Sequence, residues 1–176
     1  MGLKGGPTQD EVMAVSLAKL GIRPGDRVAD VGCGTGKVAV AAARTAERVY
    51  AIDRRPEAIA CARQEAAAAG AGNIEFFEGD AVDVLRDIDR LDAAFVGGSR
   101  RLPEVLDLLA GKVQGRIVVN AVMVGTLHEA IASMQRLGIF VEAVHLQVSR
   151  SAGIAGGMMF KPINPVYVIV GGAGCS

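Results

Sequence analysis

Apolar residues along this chain follow two alternating spacings. Short runs rich in Val, Ile and Phe predict strands, and longer stretches with apolar residues three or four apart predict helices. Met13, Leu17 and Leu20 line one helical face. That helix is opened by Thr8-Gln9-Asp10-Glu11, where Thr8 caps and Glu11 stands three positions on. Gly21 ends it, and Pro24-Gly25-Asp26 makes a turn. Strands are then predicted over 27–31, 48–52, 74–77, 93–96, 115–120, 140–148 and 166–170. Helices are predicted between them over 38–46, 56–69, 81–86, 103–109 and 124–137, with Pro56 in a first turn and Gly138 closing the last. No repeat or linker interrupts this order, so residues 1–176 are expected to form one domain. The alternation predicts an α/β fold, a mostly parallel sheet covered by helices on both faces. In such sheets ligands bind beyond the carboxyl ends of the strands.

The candidate chemistry falls at those ends. Asp30-Val31-Gly32-Cys33-Gly34-Thr35-Gly36 follows the first strand directly and opens a helix. Glycines there permit a tight turn and let a ligand approach the main chain. A phosphate loop would place Gly at position 31 and Ser or Thr at 38, where Val31 and Val38 stand. A dinucleotide G-x-G-x-x-G would place Gly or Ala at 37, where Lys37 stands. What remains is D-x-G-x-G-x-G, a pattern that a purely structural turn also satisfies. Asp53, ending the second strand, is placed for a ribose diol. In Glu78-Gly79-Asp80-Ala81, after the third strand, Asp80 suits an exocyclic amine and Ala81 offers an N–H to a purine ring. Taken singly, Asp53 and Asp80 more often read as helix caps or surface acids; at successive strand ends they outline an adenosine. A hydride cofactor with a pyrophosphate would favour the absent fingerprint. S-adenosylmethionine has no pyrophosphate, and its amino-acid moiety can lie against the backbone of residues 32–36.

Composition narrows the partners. Hydrophobic residues reach 51%, yet no apolar run approaches the ~20 residues that span a membrane. Residues 1–6 lack an apolar signal core, which predicts no export signal, no membrane partner and a cytoplasmic location. The 19 basic and 19 acidic residues cancel, and aromatics are 4% with no Trp. Neither a field nor a stacking platform for nucleic acid is expected. Cys33, Cys61 and Cys175 are odd in number and form no CxxC, so neither a disulfide frame nor a metal site is expected. A reducing compartment agrees with that usage.

Over positions 24–120 these residues resemble the class I S-adenosylmethionine methyltransferases. A closer resemblance runs nearly the whole chain. Gly6-Pro7-Thr8, the glycine loop, Ala51-Ile52-Asp53-Arg54, Glu78-Gly79-Asp80-Ala81, Val96-Gly97-Gly98-Ser99 and Asn164-Pro165-Val166 occur in the order seen in the CbiT family. That family comprises the decarboxylating cobalt-precorrin-6B C15-methyltransferases of cobalamin biosynthesis. The glycine loop is generic; the Gly-Pro-Thr, Val-Gly-Gly-Ser and Asn-Pro-Val segments are specific. The resemblance implies a Rossmann-like class I methyltransferase fold with a seven-stranded, mostly parallel sheet. It implies S-adenosyl-L-methionine as cofactor, S-adenosyl-L-homocysteine as product, and a homotetramer. By position it implies cofactor contacts from Thr8, Gly32, Cys33, Gly34, Thr35, Gly36, Asp53, Asp80 and Ala81. Two departures fall on the substrate side. Arg100-Arg101 stand where the family often has more glycine, and Ser149-Arg150-Ser151 stands where it often has Ala-Arg-Gly.

The substrate so implied is a reduced tetrapyrrole bearing many carboxylates. Gly97 and Ser99 are expected beside it, with Arg100, Arg101, Arg150 and Lys161, all in predicted loops, as candidate carboxylate partners. A guanidinium can grip a carboxylate through two parallel bonds, although loop cations equally read as solvated charge. Gly153, Gly156 and Gly157 make the stretch before Met158-Met159-Phe160 pliable, as a cover for the macrocycle, a surface loop or a subunit contact. Methyl transfer to an electron-rich meso carbon needs chiefly alignment, which supplies roughly 7–11 kcal/mol. No indispensable nucleophile is expected, and no catalytic residue is assigned. His128, His145 and Cys33 read as structural. Two other readings stay open. One is a class I methyltransferase acting on RNA or protein, weakened by neutral charge and the absence of N-P-P-Y or D-P-P-Y after the fourth strand. The other is a non-catalytic nucleotide-binding subunit, weakened by the intact Asp30, Asp53 and Asp80.

Overall fold

The computed structural model describes residues 8–98 and 100–172; Gly6, Pro7, Ser99 and Cys175 of the sequence reading lie outside them. In chain order the elements are α1 (Asp10–Leu20), β1 (Arg27–Val31), α2 (Lys37–Ala43), β2 (Arg48–Asp53), α3 (Pro56–Ala69), β3 (Ile74–Glu78), α4 (Ala81–Arg86) and β4 (Ala93–Val96). There follow α5 (Leu102–Lys112), β5 (Arg116–Ala121), α6 (Val124–Arg136), β6 (Phe140–Leu146), β7 (Ser149–Ile154), β8 (Gly157–Pro162) and β9 (Val166–Gly172). Seven strands form one sheet in the order β3-β2-β1-β4-β5-β9-β6. Strands β3, β2, β1, β4 and β5 are mutually parallel, and β9 runs against both its neighbours. This is the mostly parallel, class I methyltransferase arrangement implied by the resemblance.

Period-two alternation sends successive strand residues into two cores. Ala29, Val31, Ile52, Val96, Ile117 and Ile169 pack with Leu85, Leu102, Leu106, Leu109 and Met134 of α4, α5 and α6. Val28, Val49, Phe95 and Val118 face the other way, against Leu20, Val38, Ala39, Ile59 and Ala62 of α1, α2 and α3. Both faces of β1, β2 and β4 are therefore dry, which fixes their register. Val31 pairs with both Ile52 and Val96, so the carboxyl ends of these three strands come level. The chain leaves β1 toward β2 on one side and returns to β4 on the other. That reversal opens a crevice at the strand ends. Among the described residues no helix is long and apolar enough to cross a membrane.

Two expectations are corrected. The N-cap of α1 is Gln9, without a side-chain cap bond, and not Thr8. Glu11 does not close a capping box; its carboxylate pairs with Arg150 instead. The expected strand over 140–148 stops at Leu146, and the expected loop after it is the β7–β8 hairpin. Its two-residue turn is Ala155-Gly156, with φ of 41° and 80°. Positive φ at both central residues gives the turn hand that suits twisted strands. Arg150 and Lys161 are thus strand residues, directly paired across the hairpin.

Candidate active site

The glycine loop is anchored by the chain's own backbone. Gly32 and Cys33 donate backbone bonds of 2.8 and 3.0 Å to the Ile52 carbonyl, and Gly36 donates to Cys33 at 2.8 Å. Gly32 and Gly36 both take left-handed φ, 77° and 80°. Each also sits where a Cβ would collide. At Gly32 it would lie 2.8 Å from the Gly98 nitrogen, and at Gly36 2.8 Å from the Ala62 Cβ. The first contact joins the loop after β1 to the loop after β4; the second seats the start of α2 on α3.

Around this loop lies a cavity of about 500 Å³. Its lining includes Thr8, Asp30, Gly32, Cys33, Gly34, Thr35, Asp53, Asp80, Ala81, Gly97 and Arg100 of the sequence reading. Such a volume suits a small organic cofactor. Gly36 is not in the lining; its role is the close seat on Ala62.

Asp53 ends β2 and is 5% exposed. Its Oδ1 accepts from the Arg55 amide at 3.0 Å and from Arg55 Nε at 2.9 Å. Its Oδ2 accepts from the Gly34 amide at 3.0 Å and from Arg55 Nη2 at 2.9 Å. Burial opposes ionisation, but the Arg55 side chain, these two amides and the guanidinium charge outweigh it. The carboxyl is held below its usual range. Sequence reasoning missed Arg55, although its place two residues beyond a strand-end acid was a signal.

Asp30 is the opposite case. It is 1% exposed, and neither carboxylate oxygen has a well-formed hydrogen bond among the described residues. Burial pushes its pKa up to about 7; the Ala39 amide opposes this and the negative charge of Asp53 adds to it. A dry carboxylate on the wall of a cavity is a ready partner for a cation. The Cys33 thiol is pushed up as well, by burial and by Asp30 and Asp53, so it stays protonated. That agrees with packing and not with nucleophilic attack.

On the far wall Asp80 caps α4 by accepting from the Val82 amide at 3.0 Å. The same oxygen, Oδ1, accepts from Arg101 Nη1 at 3.0 Å. Arg101 is also bound to Glu104, through Nε at 2.9 Å and Nη2 at 2.6 Å. Arg101 therefore serves the wall that Asp80 forms and is not held out toward a substrate. Arg100 does line the cavity. Arg150 is tied to Glu11, and neither it nor Lys161 reaches the cavity lining. His128 is exposed on α6, and His145 stacks on Tyr167 with ring centroids 4.5 Å apart. Lys37, at the start of α2, donates to the Thr8 carbonyl at 3.0 Å and pairs with Asp10 at 2.5 Å. It holds Thr8 at the rim.

Comparisons with known proteins identify the family of a chain with this fold. Residues 4–171 match the model of the precorrin methyltransferase domain. A probable decarboxylating cobalt-precorrin-6B C(15)-methyltransferase of Methanosarcina acetivorans is 48% identical, over 97% of this chain and 96% of that protein. The crystal structure of a precorrin 8w decarboxylase from Methanobacterium thermoautotrophicum superposes with a TM-score of 0.92 at 38% identity, covering 96% of this chain and 92% of the other. A precorrin-6y C5,15-methyltransferase from Geobacter metallireducens gives the same TM-score at 30% identity, covering 98% and 94%. With its strand order, its glycine loop and near full-length matches of this kind, the chain belongs to the precorrin methyltransferase family.

Proposed function

We propose that this chain methylates C15 of cobalt-precorrin-6B or precorrin-6B from S-adenosyl-L-methionine and removes the carboxyl group of the C12 acetate arm, in corrin-ring (cobalamin) biosynthesis. The observation that carries the reading is the convergence of Asp30, Asp53, Asp80 and the glycine loop on one cavity in a chain of this family. When bound, the cofactor supplies a methyl group on a cationic sulfonium. Asp30 fits its α-ammonium group, since a buried carboxylate without a full partner gains most from a cation. The glycine loop fits the amino-acid moiety, because a ligand can approach its bare backbone. Asp53 fits the ribose diol. Each of its oxygens already carries two donors, so the hydroxyls reach it by replacing Arg55 Nε and Nη2. The remaining oxygen of Asp80 and the Ala81 amide fit the adenine.

The substrate side follows from the loop after β4. Gly97 and Gly98 line the cavity and abut Gly32, so a macrocycle resting there meets the methyl donor across bare backbone. Arg100 is placed to receive one of its carboxylates. The chain aligns the acceptor carbon and excludes water, and the electron-poor ring formed by methylation drives loss of carbon dioxide. The exposed Met158 and Phe160 of the hairpin, 73% and 69% accessible, support a subunit contact, which the homotetramer implied by the family resemblance would need. A single domain over 1–176, working in the cytoplasm without nucleic acid or membrane, completes the reading. Mass spectrometry of the product from cobalt-precorrin-6B plus cofactor tests it. The expected product gains one methyl group and loses one carboxyl group. Methylation without carbon dioxide release would reduce the enzyme to a simple methyltransferase, and no transfer would sink the assignment.

A further inference from the structure

We infer that Arg101 is a positioning residue that sets the cofactor specificity of Asp80, turning its free oxygen toward the adenine amine. The inference rests on the reading of the cavity as an adenosine site. Three observations carry it.

First, Arg101 takes φ 51° and ψ 36°, a left-handed conformation that disfavours any residue with a Cβ. The position is the N-cap of α5, where Gly, Asn or Asp would take the left-handed turn at less cost, and Arg101 makes no side-chain cap bond there. Something else holds this side chain. Second, its guanidinium is divided between two acids, with Nε and Nη2 on Glu104 and Nη1 on Asp80. Glu104 aims the fork, and the remaining nitrogen is delivered to Asp80. Third, Nη1 and the Val82 amide converge on one oxygen of Asp80, Oδ1. Oδ2 has no partner among the described residues, while Asp80 lines the cavity. Two donors on one oxygen fix the carboxylate plane and leave the other oxygen as an acceptor. An acceptor alone discriminates between purines. The N6 amine of adenine donates to it, whereas the O6 of hypoxanthine presents an acceptor and is repelled. Without Arg101, Asp80 keeps its cap bond but regains rotation about its side-chain torsions, and the discrimination falls.

The test is calorimetric binding of S-adenosylhomocysteine and S-inosylhomocysteine to wild type, Arg101→Gly, Arg101→Lys and Asp53→Ala. Glycine suits the left-handed backbone, so Arg101→Gly keeps the fold while removing the guanidinium. Wild type is expected to prefer the adenine ligand. Arg101→Gly should lower that preference about tenfold, the loss of roughly one hydrogen bond to a charged group. Arg101→Lys should restore part of it, as a single donor can still reach one oxygen. Asp53→Ala should weaken both ligands together and leave the ratio unchanged. A wild-type preference that persists in Arg101→Gly would overturn the inference and leave the cofactor site standing. Absence of any preference in wild type would instead overturn the adenosine reading on which it rests.

Discussion

Asp30→Asn isolates the cost of the buried carboxylate. Burial pushes the Asp30 pKa in the folded protein up to about 7, from an ordinary value of 3.8. The folded state therefore holds a proton that the unfolded chain has released. A raised pKa contributes stability that is full below the unfolded value and is lost as pH rises through the folded one. At 1.36 kcal/mol for each pH unit, the whole loss is roughly 4 kcal/mol, and the part falling between pH 5 and pH 8 is roughly 3 kcal/mol. Asparagine fills nearly the same space and does not ionise. It brings its own cost, an amide buried without partners, of about 1–3 kcal/mol, but that cost is independent of pH. The measurement is the difference in unfolding free energy between variant and wild type, from urea titrations without ligand at pH 5 and pH 8 in matched salt. The variant should gain on wild type by roughly 3 kcal/mol from the lower to the higher pH. A difference that stays constant would show that Asp30 ionises as freely as in the unfolded chain, and its proposed pairing with an ammonium group would lose its basis. With cofactor present the sign reverses. Wild type should bind more tightly as pH rises through 7, releasing a proton, and Asp30→Asn should show neither effect.

Other outcomes follow from the same geometry. Calorimetry should show tight binding of S-adenosylmethionine and S-adenosylhomocysteine and not of NAD or ATP; preferential NAD binding would contradict the loop geometry. Asp53→Ala should weaken both cofactor ligands by about 1–3 kcal/mol, the scale of hydrogen bonds to a charged group; unchanged affinity removes Asp53 from the site. Arg100→Ala should raise the tetrapyrrole KM with little change in cofactor affinity, and the wild-type KM should rise with salt because exposed charges are screened within roughly 10 Å at 0.1 M; normal turnover by the variant returns Arg100 to solvent. Gly36→Ala should lower the melting temperature, since the new methyl meets Ala62 at 2.8 Å on a left-handed backbone, a conflict of about 1–3 kcal/mol; an unchanged melting temperature would mean that α2 and α3 part freely.

How much of this could be read from the chain alone depended on distance along it. The strands carrying Val28–Val31, Val49–Ile52 and Ala93–Val96 alternate between two buried faces, so their pattern was strong and their ends fell where expected. The loop of Gly32 and Gly34, with Asp53 and Asp80 at later strand ends, was legible for the same reason. The β7–β8 hairpin was not. Its turn is Ala155-Gly156 and not Asn-Gly, and its strands alternate weakly, with most residues on both sides exposed. The bond of Arg101 to Asp80 could not be foreseen, because the two lie 21 residues apart and meet only through the sheet. The pairing of Arg150 with Glu11 was hidden likewise, the two being 139 residues apart. The Asp30 carboxylate was visible as part of a motif, but its want of a well-formed hydrogen bond among the described residues belongs to the packed state and has no signature in sequence.

The first turn of α1 joins two separate parts of the molecule. Asp10 is bound to Lys37, at the start of the helix that the glycine loop opens, and the adjacent Glu11 is bound to Arg150 on the β7–β8 hairpin. One helical turn thus ties the cofactor end of the sheet to a hairpin outside it. Hydrogen exchange offers a direct view of the result. Amides in the hairpin should slow when cofactor fills the cavity, although no hairpin residue lines it, and Glu11→Gln should abolish that distant protection while leaving the slowing at residues 32–36 intact.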